Sequence, residues 1–544
     1  MKNILLVLLL LPTFTRGGRQ ELSADQKLYI TAKVWGFLKY YHPQINKGQI
    51  NWDNQLVEIL QKLPGVKTKR ELSELFLDQL ASLGEVTSCK NCAPSKDLHY
   101  FDKNFDLSWL KDELFTPELS AKLIHIEQNR SLTQYYVARD RASTLIINEP
   151  IYKSSQWNDE SIRLLTLFKY WNTIEYFYPY KYQTDQKWGE VLQQMIPKFQ
   201  KVKSEQEYHM VIHELTIKLC DSHAFFDTDL TRAFAGKKYI SARFKILNDK
   251  AVITSFYNDS LAKVDDIRLG DAIVKVNEVP VSEIYSNHEK YINGSNSLVK
   301  KLQYSFRWIF NGDTDTVRIT FERNGKLASK TIRRYIRSAF NYQSPKGEKW
   351  KRIDGTIGYA NIGEITAEDL PKMMNDLADT KAIIFDLRNY PEFLFDEIAT
   401  CINQEPQEAI KFLKPDLTYP GRFVWMEPTR YGKKNPSTYK GRVVILINEE
   451  TQSRAESFVM VLQSAKNAIT IGRQTSGADG NVIDYNFFDQ NTTWITGLGI
   501  FYPDGRETQR VGIVPDIKVE LTREDIRQGR DAILEKAIEV AKKN

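Results

Sequence analysis

A serine at position 453 stands where a chain can present a reactive hydroxyl. The run 442–448 predicts a buried strand and the apolar run 458–462 predicts a helix, so Ser453 falls between a strand and a helix. A hydroxyl at the carboxyl edge of a sheet, beside a helix N-terminus that favours developing negative charge, suits a nucleophile. The alternative is an N-cap, the commonest role of a serine before a helix.

A histidine at position 223 ends the second copy of an internal duplication. Five pairs share one offset of 136 residues: Trp35/Trp171, Tyr41/Phe177, Pro43/Pro179, Trp52/Trp188 and Leu56/Leu192. Both copies have apolar residues at helical spacing, which predicts two small helical units. The first copy ends in Thr87 where the second has His223, so only the second gains a titratable group there. The alternative is a surface histidine.

Two further patterns have simpler interpretations than a metal site. His209 and His213 are spaced i, i+4, but the glutamate of a His-Glu-x-x-His motif is absent, which favours a half-solvated helix face. Cys89 and Cys92 form a lone CxxC in a loop-like stretch, which favours a local disulfide in an exported chain. We therefore predict no metal and no cofactor.

The start of the chain predicts export. Lys2 precedes an apolar run at 4–11 that is too short to span a membrane, so residues 1–18 are interpreted as a signal peptide and the mature protein as soluble, periplasmic or extracellular. A buried N-terminal strand is the alternative. The 544 residues allow several domains, and a net charge of +6 without basic runs argues against nucleic acid as a partner.

Short alternating strands in the middle of the chain predict a small β-rich module. Residues 268–277 resemble the segment of PDZ domains in which a Gly-Asp turn leads into a strand. The resemblance implies a module that captures an extended chain or a chain end. The alternative is a small β domain without a ligand.

The C-terminal block alternates strands and helices, as in an α/β core. Its segments 386–389, 451–456, 471–477 and 511–516 resemble, in order, the core motifs of the S41 serine peptidases, which include the tail-specific and C-terminal processing peptidases. The resemblance implies that Ser453 is the nucleophile, with Glu456 matching the glutamate of the Thr-x-Ser-x-(Ser/Ala)-Glu motif.

Departures from the family pattern indicate the subtype. Ala478 stands where processing peptidases with a Ser-Lys dyad carry the lysine. The tricorn-like branch instead uses a Ser-His motif at the end of a helical region, which Ser222 and His223 match. The resemblance then implies that His223 takes the proton of Ser453, and that a carboxylate reached through Ser222 orients the ring.

The late acid and the oxyanion donors are predicted from the same resemblance. The family glutamate falls near Gln509, which carries no charge, so Glu507, two residues earlier on the same face of a strand, is predicted to replace it. Pro391 replaces a family glycine and has no N–H to donate. The Arg454 amide is predicted as one oxyanion donor and Tyr390 as the candidate for the other.

These observations predict a multidomain α+β chain: a duplicated N-terminal helical region, a small β-rich PDZ-like domain and a C-terminal α/β S41 (ClpP/crotonase-like) catalytic core. The predicted parts are the signal at 1–18, helical copies at 19–135 and 136–236, the PDZ-like domain at 237–336 and the catalytic domain at 340–544. The predicted function is an exported serine endopeptidase acting on polypeptides. The alternative is an S41-like peptide-binding protein that has lost activity, motivated by Gln509, Pro391 and the missing lysine.

Overall fold

The computed structural model describes residues 21–140, 143–305, 308–341 and 347–543. The predicted signal at 1–18 lies outside these ranges. Within them, no helix combines the length and apolar character that crossing a bilayer requires. The chain is a mixed α+β protein with several sheets and several hydrophobic cores.

The N-terminal half is mainly helical, and side-chain caps set several helix starts. Ser23 and Thr68 each accept a bond from the third helical amide while a Gln or Glu side chain returns one, which satisfies two free N–H groups at once. The helices are α1 (Ala24–Tyr41), α2 (Trp52–Lys62), α3 (Lys69–Leu83), α4 (Pro117–Gln128), α5 (Glu160–Phe177), α6 (Trp188–Gln200), α7 (Glu205–Ile217) and α8 (Asp229–Ala235). The strands are β1 (Tyr100–Phe101), β2 (Val137–Asp140) and β3 (Ser143–Ile146).

Two tryptophan pairs make the same contacts at the offset seen in the sequence. The indoles of Trp35 and Trp52 each donate to the other's backbone carbonyl, at 2.9 and 3.0 Å. Trp171 and Trp188 exchange the same two bonds, at 2.8 and 3.0 Å. Each pair therefore ties the start of one helix to the middle of another and leaves no buried indole N–H unpaired.

The middle of the chain folds around a separate antiparallel sheet in the order β4-β5-β6-β8-β9, with β7 on β6. Asn277 and Glu278 both have positive φ, at 47° and 65°, as the two-residue hairpin between β6 and β7 requires. The strands are β4 (Ala242–Leu247), β5 (Lys250–Phe256), β6 (Ala272–Val276), β7 (Val279–Pro280), β8 (Thr316–Arg323) and β9 (Lys326–Arg333), with helices α9 (Asp259–Val264), α10 (Val281–His288) and α11 (Ser297–Tyr304).

The C-terminal part contains a sheet in the order β10-β11-β12-β16-β17-β21, parallel except for β10. Its central strands are mainly apolar because both faces are covered, by the helix that begins at Arg454 and its neighbours on one side and by the helix that begins at Ala532 on the other. The strands are β10 (Trp350–Ile353), β11 (Ile357–Asn361), β12 (Ala382–Asp386), β13 (Gln407–Pro415), β14 (Phe423–Trp425), β15 (Thr429–Tyr431), β16 (Arg442–Ile447), β17 (Ala468–Gly472), β18 (Val482–Phe488), β19 (Asn491–Thr496), β20 (Gly499–Phe501) and β21 (Ile517–Lys518). The helices are α12 (Asp369–Asp376), α13 (Phe395–Ile402), α14 (Arg454–Gln463), α15 (Arg523–Gln528) and α16 (Ala532–Lys542).

The helical half is attached to the C-terminal part through strands and aromatic contacts. The β18–β19 hairpin belongs to the same hydrophobic core as the helices, with Tyr170 of α5 5.1 Å from Tyr485 and 5.0 Å from Phe487 between ring centroids. Strand β1 also pairs with β14 of the C-terminal part. As a result, the loop that follows α7 lies against the loops at the carboxyl end of the parallel sheet.

Candidate active site

Ser453 lies at the turn between β16 and α14 with a strained backbone. Its φ of 57° and ψ of −126° are unusual for a residue with a side chain, and such strain concentrates at functional sites. Its N–H donates to the Ala478 carbonyl at 2.9 Å. The Glu456 N–H bonds the carbonyl of Ser453 at 2.7 Å, so the first turn of the helix does not need the serine hydroxyl.

Glu456 holds the loop beside Ser453 in place. Its carboxylate is fully buried and accepts bonds from the Ser453, Gly477 and Ala478 amides at 3.1, 2.8 and 3.0 Å, and from the Thr475 hydroxyl. Burial raises the pKa of Glu456 and these bonds oppose that rise. Accepting four bonds is the pattern of an ionised carboxylate, whose role here is to position the loop.

His223 is held by an acid two residues before it. The His223 Nδ1 lies 3.3 Å from Asp221 Oδ1 and 3.0 Å from the Thr496 hydroxyl, and Thr496 donates to Asp221 Oδ2 at 2.5 Å. The backbone N–H of His223 also donates to Asp221, at 2.9 Å. The other ring nitrogen, Nε2, is buried and has no hydrogen-bond partner among the described residues. This leaves Nε2 available to a group in the cavity that His223 lines.

The pKa values of the pair indicate a mutual stabilisation of charge. Burial by itself lowers the pKa of His223, but the hydrogen bond and charge of Asp221 outweigh it and raise the pKa above its ordinary value of 6.5. Burial raises the pKa of Asp221, and the bond to His223 outweighs that effect, so the net shift is downward. An imidazolium at this position is therefore balanced by a carboxylate.

Ser453 and His223 line one cavity of about 700 Å³. Its walls are largely aromatic and aliphatic, and include Tyr390, Phe393, Phe395, Ile410, Phe412, Tyr431, Val482, Trp494, Leu498 and Ile500. Asp479 lines it as well, with Ser457 beside it. A cavity of this size with a few convergent polar groups is the usual form of a small-molecule or side-chain site.

The two predicted oxyanion residues also border the cavity. Arg454 is the first residue of α14, and the amide at that position has no acceptor within its own helix. The Arg454 guanidinium stacks over the rings of Tyr390 and Phe393, 5.2 Å from each centroid, and donates to the Pro391 carbonyl at 3.3 Å. Tyr390 is 56% exposed and therefore forms part of the rim.

The structure does not bring Glu507 to His223. The Glu507 carboxylate accepts from Tyr182 at 2.8 Å, Gln183 at 2.9 Å and Lys103 at 3.2 Å, and it borders a different cavity. The partner expected from the sequence is replaced by Asp221, which is nearer along the chain and fully buried. Gln509 is also fully buried, and neither polar atom of its amide has a partner among the described residues.

The Ser222 hydroxyl lies in a cluster of other hydroxyls. It does not lie between His223 and an acid. Its Oγ lies 3.0 Å from the hydroxyls of both Ser295 and Ser476 and accepts from the Ser295 amide at 2.9 Å. Since Asp221 contacts the imidazole directly, no carboxylate needs to act through Ser222. The cluster instead connects the His223 loop to the segment just before α11 and to the 475–478 loop.

His209 and His213, expected on a half-solvated helix face, are both buried, and they and the cysteine pair have local partners. His209 Nδ1 lies 2.7 Å from the Thr228 hydroxyl, and His213 contacts the carbonyls of Phe226 and Tyr291 at 2.8 and 3.0 Å. In the part of the chain that the structure describes, no group of three metal-ligating side chains lies together. Cys89 and Cys92 form a disulfide.

Three site residues were missed by sequence reasoning: Asp221, Asp479 and Thr496. The Asp-x-His spacing of Asp221 and His223 was the available signal, because an aspartate can return its side chain to a group two residues on. Asp479 follows Ala478 directly, but a single aspartate in a loop gives no indication of burial. Thr496 lies 275 residues from Asp221, and only the fold brings them together.

A serine, a histidine and an acid arranged around one cavity are the groups that serine hydrolases use. The model of peptidase family S41, a family of serine-type peptidases, matches residues 355–519, so this part of the chain is similar to that family.

Similar proteins agree with this family. The "Probable CtpA-like serine protease" of Staphylococcus haemolyticus is 24% identical over 308 residues, which is 55% of this chain and 55% of that protein. The "Carboxy-terminal processing protease CtpA" of Bacillus subtilis is 24% identical over 299 residues, 54% of this chain and 58% of that protein. The chain thus spans little more than half the length of these relatives. The structure of mature CPAF complexed with lactacystin has a TM-score of 0.56 at 14% identity, covers 70% of this chain and 98% of its own, and shows the shared fold alone.

Proposed function

We propose that this chain hydrolyses peptide bonds of polypeptide substrates through an acyl ester on Ser453. The observation that carries the proposal is the His223–Asp221 pair: His223 lines the same cavity as the strained Ser453, and its Nε2 has no hydrogen-bond partner among the described residues. The match of residues 355–519 to the model of peptidase family S41 supports it.

In the first step the Ser453 Oγ attacks the carbonyl carbon of the substrate and transfers its proton to His223 Nε2. A C–O bond forms, and the carbonyl electrons move to the oxygen. Asp221 stabilises the imidazolium and, with Thr496, fixes which nitrogen faces the cavity.

The developing oxyanion is stabilised by backbone donors at the start of α14. The Arg454 amide is the proposed principal donor, since it lies at the helix N-terminus next to the nucleophile. Tyr390, whose ring lies beside the Arg454 guanidinium, is the proposed second donor through its own amide. Pro391 has no N–H and cannot contribute.

The acyl ester forms when the C–N bond breaks and the imidazolium of His223 gives its proton to the leaving amine. A water molecule then attacks the ester, His223 accepts its proton, and Ser453 leaves with that proton. No step needs a metal or a redox partner.

The parts outside the core are proposed to deliver substrate. The middle region, proposed as a PDZ-like domain, touches the active-site loop directly: the side-chain amide of Asn296, the N-cap of α11, donates to the Thr475 and Ser476 carbonyls at 2.8 and 2.9 Å. Binding of a polypeptide to this region would therefore affect the position of the 475–478 loop, which Glu456 holds. The helical region is proposed to be an internal duplication of which the second copy supplies the base, His223. The protein is proposed to be exported to the periplasm or outside the cell.

Labelling with a fluorophosphonate tests the proposal against the alternative of an inactive peptide-binding protein. An activated Ser453 should form a stable covalent adduct, identified by mass spectrometry of the peptide that contains it. A chain that hydrolyses no peptide and gives no adduct at Ser453 would favour the inactive scaffold.

Asp221→Asn is expected to lower kcat/KM about 1,000-fold or more, because the amide cannot balance the imidazolium and disfavours the required tautomer. It should also move the acid limb of the pH profile to lower pH. The base must be neutral, so activity rises as pH passes through the pKa of His223, and the carboxylate is what raises that pKa. Initial rates from pH 5 to 9 measure both effects.

Glu507→Gln is the matched control for Asp221→Asn, because it makes the same chemical change in an acid whose partners lie elsewhere. It should leave the acid limb in place and change kcat/KM by less than about threefold. An acid limb that moves with Glu507→Gln and not with Asp221→Asn would reassign the acid.

A further inference from the structure

Asp479 is a buried acid that the proposed mechanism does not use. It lies in the loop between β17 and β18, is 2% exposed, and lines the cavity that contains Ser453 and His223. Its Oδ2 accepts from the Ser457 hydroxyl at 2.5 Å and its Oδ1 accepts from the Gly480 amide at 2.7 Å. Both donors are neutral, so the hydrogen bonds hold the carboxyl in place without balancing its charge.

The charged groups near Asp479 leave its charge poorly balanced. Burial is the largest effect and Glu456 repulsion the next, and together they raise the pKa of Asp479 to about 7. His223 opposes the shift when it is protonated, but a neutral His223 is required for the first step. The Arg454 guanidinium, the cation at the rim, is engaged with Tyr390 and Phe393.

The remaining wall is suited to an unbranched apolar stem. Ile410, Phe412, Leu498 and Ile500 line it with aliphatic and aromatic carbon, and Tyr431 is half-buried beside them. A ligand that packs carbon against these side chains and ends in a positive charge would supply what Asp479 lacks. An acidic side chain would be repelled, and a purely apolar one would leave the charge of the carboxylate without an opposite charge.

We propose that Asp479 determines specificity, and that this cavity takes a lysine or arginine side chain of the polypeptide next to the bond that Ser453 attacks. The inference rests on the proposed function, because it assigns the substrate class of the same site. The methylene stem lies along the apolar wall and the cation pairs with the Asp479 carboxylate.

Two peptides that differ in one charge test the proposal: Ala-Ala-Lys-Ala-Ala and the same peptide with norleucine in place of lysine. Their fluorescein-labelled forms are titrated into Ser453→Ala protein by fluorescence anisotropy, and the unlabelled forms are incubated with the unaltered protein, with cleavage read by mass spectrometry. The lysine peptide is expected to bind and to be cleaved at least about tenfold better at pH 8. In Asp479→Asn the preference should fall to about one.

The preference should also rise with pH, since the carboxyl ionises near 7. The titratable groups that act on Asp479 are Glu456, His223, Tyr180 and Tyr431. Their effects on turnover cancel when the rate for one peptide is divided by the rate for the other. We expect the ratio to increase severalfold between pH 6 and pH 8. Ser457→Ala, which removes a donor to the carboxylate, should move this increase to higher pH, and it provides a second test if Asp479→Asn does not fold.

The outcomes separate this inference from the proposed function. A norleucine peptide that binds as tightly as the lysine peptide, or a preference that persists in Asp479→Asn, would overturn the role of Asp479. A lysine preference in binding to the Ser453→Ala protein, without hydrolysis by the unaltered protein, would uphold the cavity and overturn the peptidase mechanism.

Discussion

Ser453→Ala is expected to lower kcat/KM for peptide hydrolysis by about 10,000-fold or more, because the oxygen that forms the acyl ester is lost. Alanine keeps the Cβ atom, so the unusual backbone at φ 57° is neither relieved nor further strained. The Glu456 amide bonds the backbone carbonyl of residue 453, so the helix start is retained. Peptide affinity should therefore change little while turnover is lost.

The measurement is steady-state hydrolysis together with fluorophosphonate labelling. Ser464→Ala is the control, since Ser464 lies at the other end of α14 and its hydroxyl bonds Val461 and Asn403. It should keep both labelling and turnover. Melting curves of both variants should stay within a few degrees of the unaltered chain, because neither change removes core volume. Full turnover in Ser453→Ala would remove the serine from the mechanism.

The position of Ser453 could be predicted because its setting is local. A buried strand, a short polar turn and an apolar helix follow one another within the stretch 442–463, and the periodicity of each is visible in the sequence. The same is true of the apolar strands of the parallel sheet. The pattern does not predict the strained φ of Ser453 or the four hydrogen bonds that the Glu456 carboxylate accepts, because these depend on the 475–478 segment.

The acid that lies beside His223 was not found from the sequence because its position depends on contacts far apart in the chain. Glu507 has the right charge and a plausible register, but the fold places Tyr182, Gln183 and Lys103 around it. Asp221 accepts a hydrogen bond from Thr496 of the β18–β19 hairpin, and only the fold shows this contact. A family resemblance predicts the role of a residue only where the residues around it are also kept. Gln509 is neutral where the family has a glutamate, so the surroundings are not kept here.

Asp479 could not be found from sequence for a related reason. Its burial arises where α14, the β17–β18 loop and the walls of the cavity meet, and no run of residues around it is apolar enough to indicate an interior position. The raised pKa of this carboxyl comes from its tertiary surroundings, from burial first and from Glu456 second, and not from its neighbours in the chain.

His223→Ala is expected to lower kcat/KM by about 1,000-fold or more, because Ser453 then has no base to take its proton. The residual rate should also lose the acid limb of the pH profile. In the unaltered protein that limb is expected to report the pKa of His223, which Asp221 raises. Thr87→Ala is the matched control: Thr87 is the counterpart of His223 in the first helical copy, is exposed, and should be kinetically silent.

Added imidazole separates a chemical role of His223 from a structural one. Removing the ring opens space beside Asp221 in a cavity of about 700 Å³, so a free imidazole can enter and take the proton of Ser453. We expect turnover of His223→Ala to rise with imidazole concentration, and to rise with pH as the added base becomes neutral. A variant damaged only in folding would show a lowered melting temperature and no such dependence. Near-normal turnover in His223→Ala without imidazole would show that the helical half supplies no base, and the mechanism would have to be rebuilt around another group in the cavity.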